Sequence, residues 1–508
     1  MRGHHQSVRT RRNNRNRREE EQWPLHIKTV NRVCIQQLLR WVPDDVGQSM
    51  RCFYDEEFMK GLDITPQPME ADILPEDLEL MLQQGIIEPA NEPAAYCKVF
   101  WVPEKTKKRR RLIQEPQINT LEEITPGPIK LTTTEDIANG ACHAAATLTD
   151  MPWFYGQLLL PRELRKYFCM VYRGKVYQMT TIPTGCRGAP AFADAIMKVI
   201  ASKAMQAAER TYDGDQQRST NTYIDNVRFT GPPKLTTDAL EHFNSIATEM
   251  GFSIDSSSEQ REVTTYDFLG YHVRHGTEPT ISLTQKTKDK IQQCLDDIQR
   301  QDFQPTLREL CEMVGICNWG TLNVARFEFY WLFKFLRRRI FAANNGDSAL
   351  DEPADMWSSA RAALAEWCRR LLRKDNRWLL SEDYEWTILI TDASLRGFGV
   401  FVIPPRGAIQ TWGGPFRDVE RIEILEARAV QYGVGSLQAV KQGTMGLVIF
   451  VDNTTVVGNL KKRRAENFTR NHILGTTWAM IAEKNYHPVR ISYIPTKCNL
   501  ADAMSRAF

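Results

Sequence analysis

No CxxC pair and no zinc-ligand spacing occurs among the eleven cysteines of this 508-residue chain, which excludes a disulfide scaffold and a structural zinc module. Scattered thiols of this kind suit a reducing, intracellular setting, nuclear or cytoplasmic. No apolar run approaches the roughly 20 residues a membrane span needs, and the N-terminus lacks the apolar core of a signal peptide. A membrane partner is therefore not expected. Charge of one sign is also nearly absent in sum, at +3, although the basic residues are unevenly placed. What is present is ordinary for folded protein: 42% hydrophobic and 25% charged residues, over a length that suits two to four domains.

Residues 1–22 hold seven arginines, no acid before Glu19 and almost no apolar side chain. Such an arm cannot bury a core and is expected to be disordered, serving either nucleic-acid contact or solubility. Residues 23–75 form an N-terminal extension in which no chemistry can be placed. After Pro75, DLELMLQQGIIEP reads as a short helix ending near Gly85. KVFWVPEKTKKRRRLIQEP follows, two apolar strands around a turn that carries Lys105, Lys107, Lys108, Arg109, Arg110 and Arg111. That turn is either a solvated tip or a cationic hairpin that grips phosphates.

Acids at strand ends carry the chemistry. TLTDMPWFYGQLLL is apolar around Asp150, and burying an acid is costly unless it is paired or binds metal. In TYIDNVRF, strand formers flank Asp225 and Asn226, which reads as a tight hairpin with a carboxylate at its tip. Between them, IPTGCRGAP leads into a helix with Phe192, Ile196, Val199 and Ile200 at helical spacing, and DFLGYHV reads as a strand after the hairpin. From Leu283 the pattern turns helical, with a capping box at Thr306 and Glu309 and a basic cluster in KFLRRRI. Residues 343–356 read as a loop. From Trp386 an α/β unit opens: WTILITDAS ends a strand at Asp392, a helix carries Glu423 and Glu426, a strand ends at Asp452, and a last helix bears Asp502. Acids spread in this way can hold two divalent ions about 4 Å apart, the arrangement of two-metal phosphoryl transfer, though a strand-end Asp often only caps a helix.

Taken in order, RRRLIQEP, LTDMPWFYGQ, IPTGCRGAP, YIDN and FLGY resemble the consecutive polymerase motifs of a retroelement reverse transcriptase. TDAS, EARAV, VDNTTV and IPTKCNLADAMSR are similar to the four motifs of its ribonuclease H domain. Together they cover well over half the chain. The flavour resembles long-terminal-repeat and tyrosine-recombinase (DIRS-like) elements, and the YIDN box resembles the trypanosomatid VIPER kind. The resemblance implies an α+β multidomain protein: a right-hand polymerase followed by a ribonuclease H-like mixed sheet with helices. Fingers and palm would lie in 76–280, a helical thumb or connection in 281–380 and the nuclease in 385–508. The implied activity copies RNA into DNA and cleaves the RNA of an RNA–DNA hybrid. Its partners would be an RNA template, a DNA primer, the hybrid and deoxynucleoside triphosphates.

By position, the resemblance implies that Asp150 and Asp225 hold two Mg²⁺ or Mn²⁺ ions, and that Asp392, Glu426, Asp452 and Asp502 hold two more. Glu423 competes with Glu426, but EARAV fits the family's register better. Arg111 would clamp the triphosphate, with Lys105 or Lys107 helping, and Tyr155 would exclude a 2′-hydroxyl. Thr184, Gly185 and Asn226 would line the nucleotide, and Phe268, Leu269 and Gly270 would grip the primer. Several positions depart from the family. Asn226 stands where most relatives have a second Asp, FSIDSSSEQ lacks the usual lysine after Gly251, Thr184 replaces glutamine or phenylalanine, and IPTKCN offers Lys497 but no histidine. Two other readings follow: a non-catalytic nucleic-acid-binding copy, and an active nuclease beside an inactive polymerase. There is no aspartic-protease triplet, no zinc-binding array and no recognisable integrase or recombinase; any element that needs them would supply them from elsewhere.

Overall fold

The computed structural model describes residues 19–104, 107–322, 326–342, 350–374, 376–380, 384–417, 420–441 and 445–508. Lys105, most of the basic arm and residues 343–349 of the expected loop lie outside the described residues. Of the arm, Glu19–Gln22 is described, and it makes a helical turn closed by Gln22 N donating to the Glu19 carbonyl at 3.3 Å. The α+β multidomain class is the one found. The chain divides into two compact units that meet in sequence at Val263 and Thr264, inside the 76–280 stretch.

In the first unit, α1 (Pro75–Gln83) starts on a proline and ends before Gly85, whose φ of +60° suits glycine. The basic hairpin is β1 (Cys97–Glu104) and β2 (Arg109–Pro116), antiparallel, with Val102 opposite Arg111. The N-terminal extension closes on it. Arg110 Nε donates to the Trp23 carbonyl at 2.7 Å, and His26 N donates to the Arg110 carbonyl at 2.7 Å. Next come β3 (Ala145–Asp150), α2 (Ala189–Glu209), β4 (Ser219–Tyr223), β5 (Asn226–Gly231), α3 (Pro233–Glu249) and β6 (Gln260–Val263). The four strands form one antiparallel sheet in the order β6-β3-β5-β4. Val227, Phe229, Leu240 and Phe243 are buried together with the apolar face of α2, and the Phe229 and Phe243 rings lie 6.2 Å apart. This packing fixes the strand ends where Asp150 and Asp225 stand.

Strand alternation sorts the basic run: Arg111 is exposed, Arg110 is buried and Arg109 is half-buried. Arg110 and Asp77 of α1 are 4% and 2% exposed, and Arg110 Nη2 donates to Asp77 Oδ1 at 2.8 Å. Asp77 also caps α1, accepting from Leu74 N at 3.1 Å. Arg110→Met is expected to cost about 3–5 kcal/mol, because it strands a buried carboxylate. Urea denaturation measures this, and Asp77→Asn added to it should restore most of the loss, since the amide still caps the helix.

The second unit opens on an antiparallel meander: β7 (Thr265–Phe268), β8 (Tyr271–Arg274) and β9 (Thr280–Leu283). DFLGYHV is thus a hairpin and not one strand. Leu269 and Gly270 both have positive φ, +50° and +87°, the conformation of a two-residue turn that suits twisted strands. Among the described residues four α-helices follow: α4 (Gln285–Gln299), α5 (Leu307–Trp319), α6 (Tyr330–Ala342) and α7 (Ser358–Leu371). The Thr306–Glu309 capping box is present, with Thr306 N donating to Glu309 Oε2 at 2.8 Å and Glu309 N to Thr306 Oγ1 at 3.2 Å. Not all of 281–380 is helical: β10 (Arg377–Leu379) returns to pair with β9. The basic cluster KFLRRRI lies inside α6, a helix of its own.

Last comes a five-stranded mixed sheet, ordered β13-β12-β11-β14-β15. Its strands are β11 (Glu385–Ala393), β12 (Gly397–Ile403), β13 (Gln410–Pro415), β14 (Met445–Val451) and β15 (Val489–Tyr493). β11, β14 and β15 run parallel, and β12 and β13 are antiparallel additions. The helices are α8 (Ile422–Ser436), α9 (Thr454–Lys462), α10 (Phe468–Glu483) and the short α11 (Asp502–Ser505). Leu389, Val430, Val434, Ile449 and Leu474 lie in the core that binds sheet to helices. Among the described residues, no helix is long and apolar enough to cross a membrane.

Candidate active sites

The first centre stands at the tip of the β4–β5 hairpin. Asn226 pairs with Tyr223 and also with Asp150 across the sheet, so the two loop residues are Ile224 and Asp225, one place earlier than the Asp225–Asn226 pair expected. Ile224 has φ +59°, a left-handed conformation that a β-branched residue adopts only under constraint. Met151 N donates to the Asp225 carbonyl at 2.7 Å, which ties the tip to the end of β3. Burial raises the Asp225 carboxyl above its ordinary range; the Asp150 charge adds to this, and Arg111 opposes it. Asn226 Nδ2 donates to Asp225 Oδ1 at 2.8 Å, so the amide occupies one oxygen of its neighbour.

Tyr155 is half-buried, and its phenol is raised by burial and then by the charges of Asp225 and Asp194. Asp194 was not singled out from the sequence. It is an acid inside the apolar stripe of α2, 2% exposed, paired with Lys198 Nζ at 2.6 Å. Its Oδ1 faces the hairpin, accepting from Thr222 Oγ1 at 3.4 Å and Ile224 N at 3.5 Å.

Of the basic run, two members are unavailable as phosphate grips. Arg110 is spent on Asp77, and Arg109 Nε donates to Glu104 Oε2 at 2.5 Å, with its Nη1 3.0 Å from His26 Nδ1. Burial and the Arg109 charge press His26 down to about 4, which keeps that ring neutral at neutral pH. Arg111 and Lys107 remain open, with side chains 59% and 57% exposed, each 3.9 Å from a Glu104 oxygen.

Gly185 is held from two sides, its N donating to the Gln114 carbonyl at 2.9 Å and its carbonyl accepting from Asn119 Nδ2 at 2.8 Å. A Cβ there would lie 2.6 Å from the Gln114 carbonyl oxygen, so the chain itself requires glycine. The neighbouring Thr184 leaves its buried Oγ1 without a hydrogen-bond partner among the described residues. Gly185→Ala is expected to destabilise the first unit by about 1–3 kcal/mol, read as a lower urea midpoint.

In the second unit, Phe268 is 4% exposed and its ring belongs to the interior, so the backbone and Leu269 of the turn are what that hairpin offers outward. Trp319 Nε1 donates to the Leu269 carbonyl at 2.8 Å and braces the turn.

The second centre is more deeply built. β11 and β14 run parallel with Thr391 opposite Val451, so Asp392 and Asp452, each one residue further on, come side by side. α8 lays Glu426 against them, and one carboxylate oxygen from each of the three lies within 4.8 Å of the others. Asp392 and Glu426 are 3% and 4% exposed. Burial, followed by the charges of Asp452 and Asp392, pushes Glu426 up to about 9. Burial also pushes Asp392 up to about 6; Ser505 opposes the rise, and Asp452 and Asp502 add to it. Glu426 Oε2 is buried without a hydrogen-bond partner among the described residues. An all-carboxylate donor set with an orphaned oxygen fits a hard divalent cation such as Mg²⁺ or Mn²⁺.

Glu423 points elsewhere, 4.0 Å from Arg470. Asp502 stands outside the close trio and pairs with Arg506 at 2.7 Å, while remaining near enough to act on Asp392. Three polar residues missed from the sequence hold two members of the trio, Asp392 and Asp452. Asn499 Nδ2 donates to Asp392 Oδ1 at 2.9 Å, Ser505 Oγ donates to Asp392 Oδ2, and Thr496 Oγ1 donates to Asp452 Oδ2 at 2.9 Å. All three lie within the IPTKCNLADAMSR stretch, which was the available signal.

No family model matches this chain, and no curated protein matches it. Among solved structures, it is similar to the foamy viral protease-reverse transcriptase dRH in complex with double-stranded DNA. The identity is 14% and the TM-score 0.48, over 93% of this chain and 83% of that one. It is also similar to the foamy viral protease-reverse transcriptase with RNA/DNA hybrid, at 16% identity and TM-score 0.45, over 85% of this chain and 55% of that one. A third likeness is to the same viral protein with double-stranded DNA, at 14% identity and TM-score 0.45, over 93% and 99% of the two chains.

Proposed function

We propose that this chain is an RNA-directed DNA polymerase with a ribonuclease H-type nuclease, of the kind a DIRS-like retroelement encodes. The observation that supports it most is the pairing of two acid centres in one chain, each built where strands end. In this reading residues 76–280 act as fingers and palm, 281–380 as thumb or connection and 385–508 as the nuclease.

Asp150 and Asp225 hold divalent cations at the hairpin tip, and Asp392, Glu426 and Asp452 hold them in the nuclease, with Asp502 alongside. Bound cations there would neutralise phosphate charge and acidify the attacking hydroxyl or water. Arg111 and Lys107 bind the triphosphate as exposed cations, Arg111 by a forked contact. The Tyr155 ring, fixed beside Asp225, fills the space a 2′-hydroxyl would need, and Thr184, Gly185 and Asn226 border the incoming base pair. Leu269 and Gly270 present a turn to the primer. Asn499, Ser505 and Thr496 orient the nuclease carboxylates by hydrogen bonds.

The test is primer extension on an RNA template with deoxynucleoside triphosphates and Mg²⁺, beside cleavage of a labelled RNA–DNA hybrid. Both activities are expected; a chain that extends no primer at any divalent concentration is not a polymerase. A second reading, nuclease activity alone, is favoured by one observation, the Asn226 amide on Asp225 Oδ1. It predicts hybrid cleavage without extension.

A further inference from the structure

The start of α6 carries rings that the interior does not use. Tyr330 and Trp331 meet Phe468, the first residue of α10, with centroids 5.3 and 6.1 Å from the Phe468 ring and 5.4 Å from each other. Three aromatic side chains normally gain by burial, yet Trp331 is 44% and Phe468 is 55% exposed. Both helices bury other faces: Leu332, Phe335 and Leu336 from α6, and Ile473, Leu474 and Trp478 from α10.

Cations surround this patch. Lys334 Nζ stands 5.2 Å from the Trp331 ring centroid and 5.6 Å from that of Tyr330. Arg337 Nη1 reaches Glu466 Oε2 at 2.5 Å, and the Arg464 guanidinium lies 5.1 Å from the Phe333 ring centroid. The Arg337 hydrogen bond, with the charges of Arg464 and Lys462, holds the Glu466 carboxyl below its usual range, so one acid is shared among three cations. Arg338 and Lys461 are exposed as well.

The combination selects a partner. A purely apolar protein face would leave the cations unmatched. A nucleic-acid duplex satisfies cations but keeps its base faces stacked inside. An unpaired strand presents both phosphates and open base faces for stacking. We propose that Tyr330, Trp331 and Phe468, ringed by Lys334, Arg337 and Arg464, form a binding face for single-stranded nucleic acid. None of the acids of either centre belongs to it.

The test uses the full chain in EDTA, which silences both acid centres and makes the outcome independent of the proposed catalysis. Fluorescence anisotropy of roughly 12-nucleotide oligo-dT and oligo-U is titrated over a range of salt. Trp331→Ala with Phe468→Ala is expected to weaken binding about tenfold or more and to leave the salt slope unchanged. Trp331→Phe with Phe468→Tyr keeps the rings and should bind within about threefold of the parent chain. Lys334→Ala with Arg464→Ala should lower the salt slope by about 1–2, a readout that stands even if the alanine ring pair fails to fold. Unchanged single-strand affinity in a folded ring pair overturns the proposal. So does an equal loss on a blunt duplex, or a salt slope untouched by the cation pair. Ring-dependent self-association without strand binding overturns it too, and would assign the face to a second copy of the chain.

Discussion

Asp225→Asn is expected to cut RNA-templated primer extension by about 10³-fold or more while leaving hybrid cleavage unchanged. The substitution keeps size and hydrogen-bonding reach and removes only the charge that, in the proposed function, would hold a cation beside Asp150. The two-residue hairpin loop, the Met151 N bond to the Asp225 carbonyl and the Asn226 pairing are all made by backbone and survive it. Stability separates lost chemistry from lost folding. The Asp225 carboxyl is raised by burial and by Asp150, so its ionisation opposes folding. That contribution to stability is complete below the unfolded carboxylate value and is lost as pH rises through the folded one. At neutral pH in EDTA, Asp225→Asn should therefore be at least as stable as the parent chain. A variant that loses extension and also melts earlier would trace the loss to unfolding.

Glu426→Gln should abolish hybrid cleavage and at the same time raise the thermal midpoint in EDTA. Glu426 is pushed up to about 9, far above a free glutamate near 4.3. Its contribution is therefore fully present below about pH 4 and drains away as pH climbs toward 9. The parent chain in EDTA should lose stability across that window, and the glutamine variant should lose much less. Mg²⁺ should reverse the loss in the parent chain, by about 2.7 kcal/mol at a hundredfold excess over its dissociation constant, because it binds the folded trio alone. Differential scanning calorimetry with and without Mg²⁺ reads both effects. A parent chain whose midpoint ignores Mg²⁺ has no cation site at Asp392, Glu426 and Asp452.

Much of this arrangement was legible in the sequence. Strand ends at Asp392 and Asp452 follow from apolar runs that stop at an acid, and the capping box at Thr306 follows from local spacing. The end at Asp150 did not, because the apolar stretch TLTDMPWFYGQLLL runs on past it while the strand stops there and a helical turn follows at Phe154–Gln157. What stayed hidden depended on partners distant in sequence. Nothing in KKRRR says which arginine faces inward; Asp77, far upstream on α1, decides that Arg110 does. The hairpin tip lies one residue earlier than expected because two strands fix the register at Asn226, and Ile224 takes a strained conformation that its type argues against. DFLGYHV lacks the Asn-Gly or Asp-Gly pair that would signal its turn, and Leu269 takes positive φ under the hold of Trp319. Asn499, Ser505 and Thr496 look like ordinary loop and helix-end residues, and only the fold brings their donors to Asp392 and Asp452. Asp194 was hidden for the opposite reason, as a single acid within an apolar helical stripe.

If one chain carries two separable phosphoryl-transfer centres, as proposed, reciprocal variants part them. Primer extension on RNA and cleavage of an RNA–DNA hybrid are measured in Mg²⁺ for Asp150→Asn and for Asp452→Asn. Asp150→Asn is expected to lose extension and keep cleavage, and Asp452→Asn to do the reverse. Extension that survives Asp150→Asn, or both activities falling together in a folded variant, would contradict it.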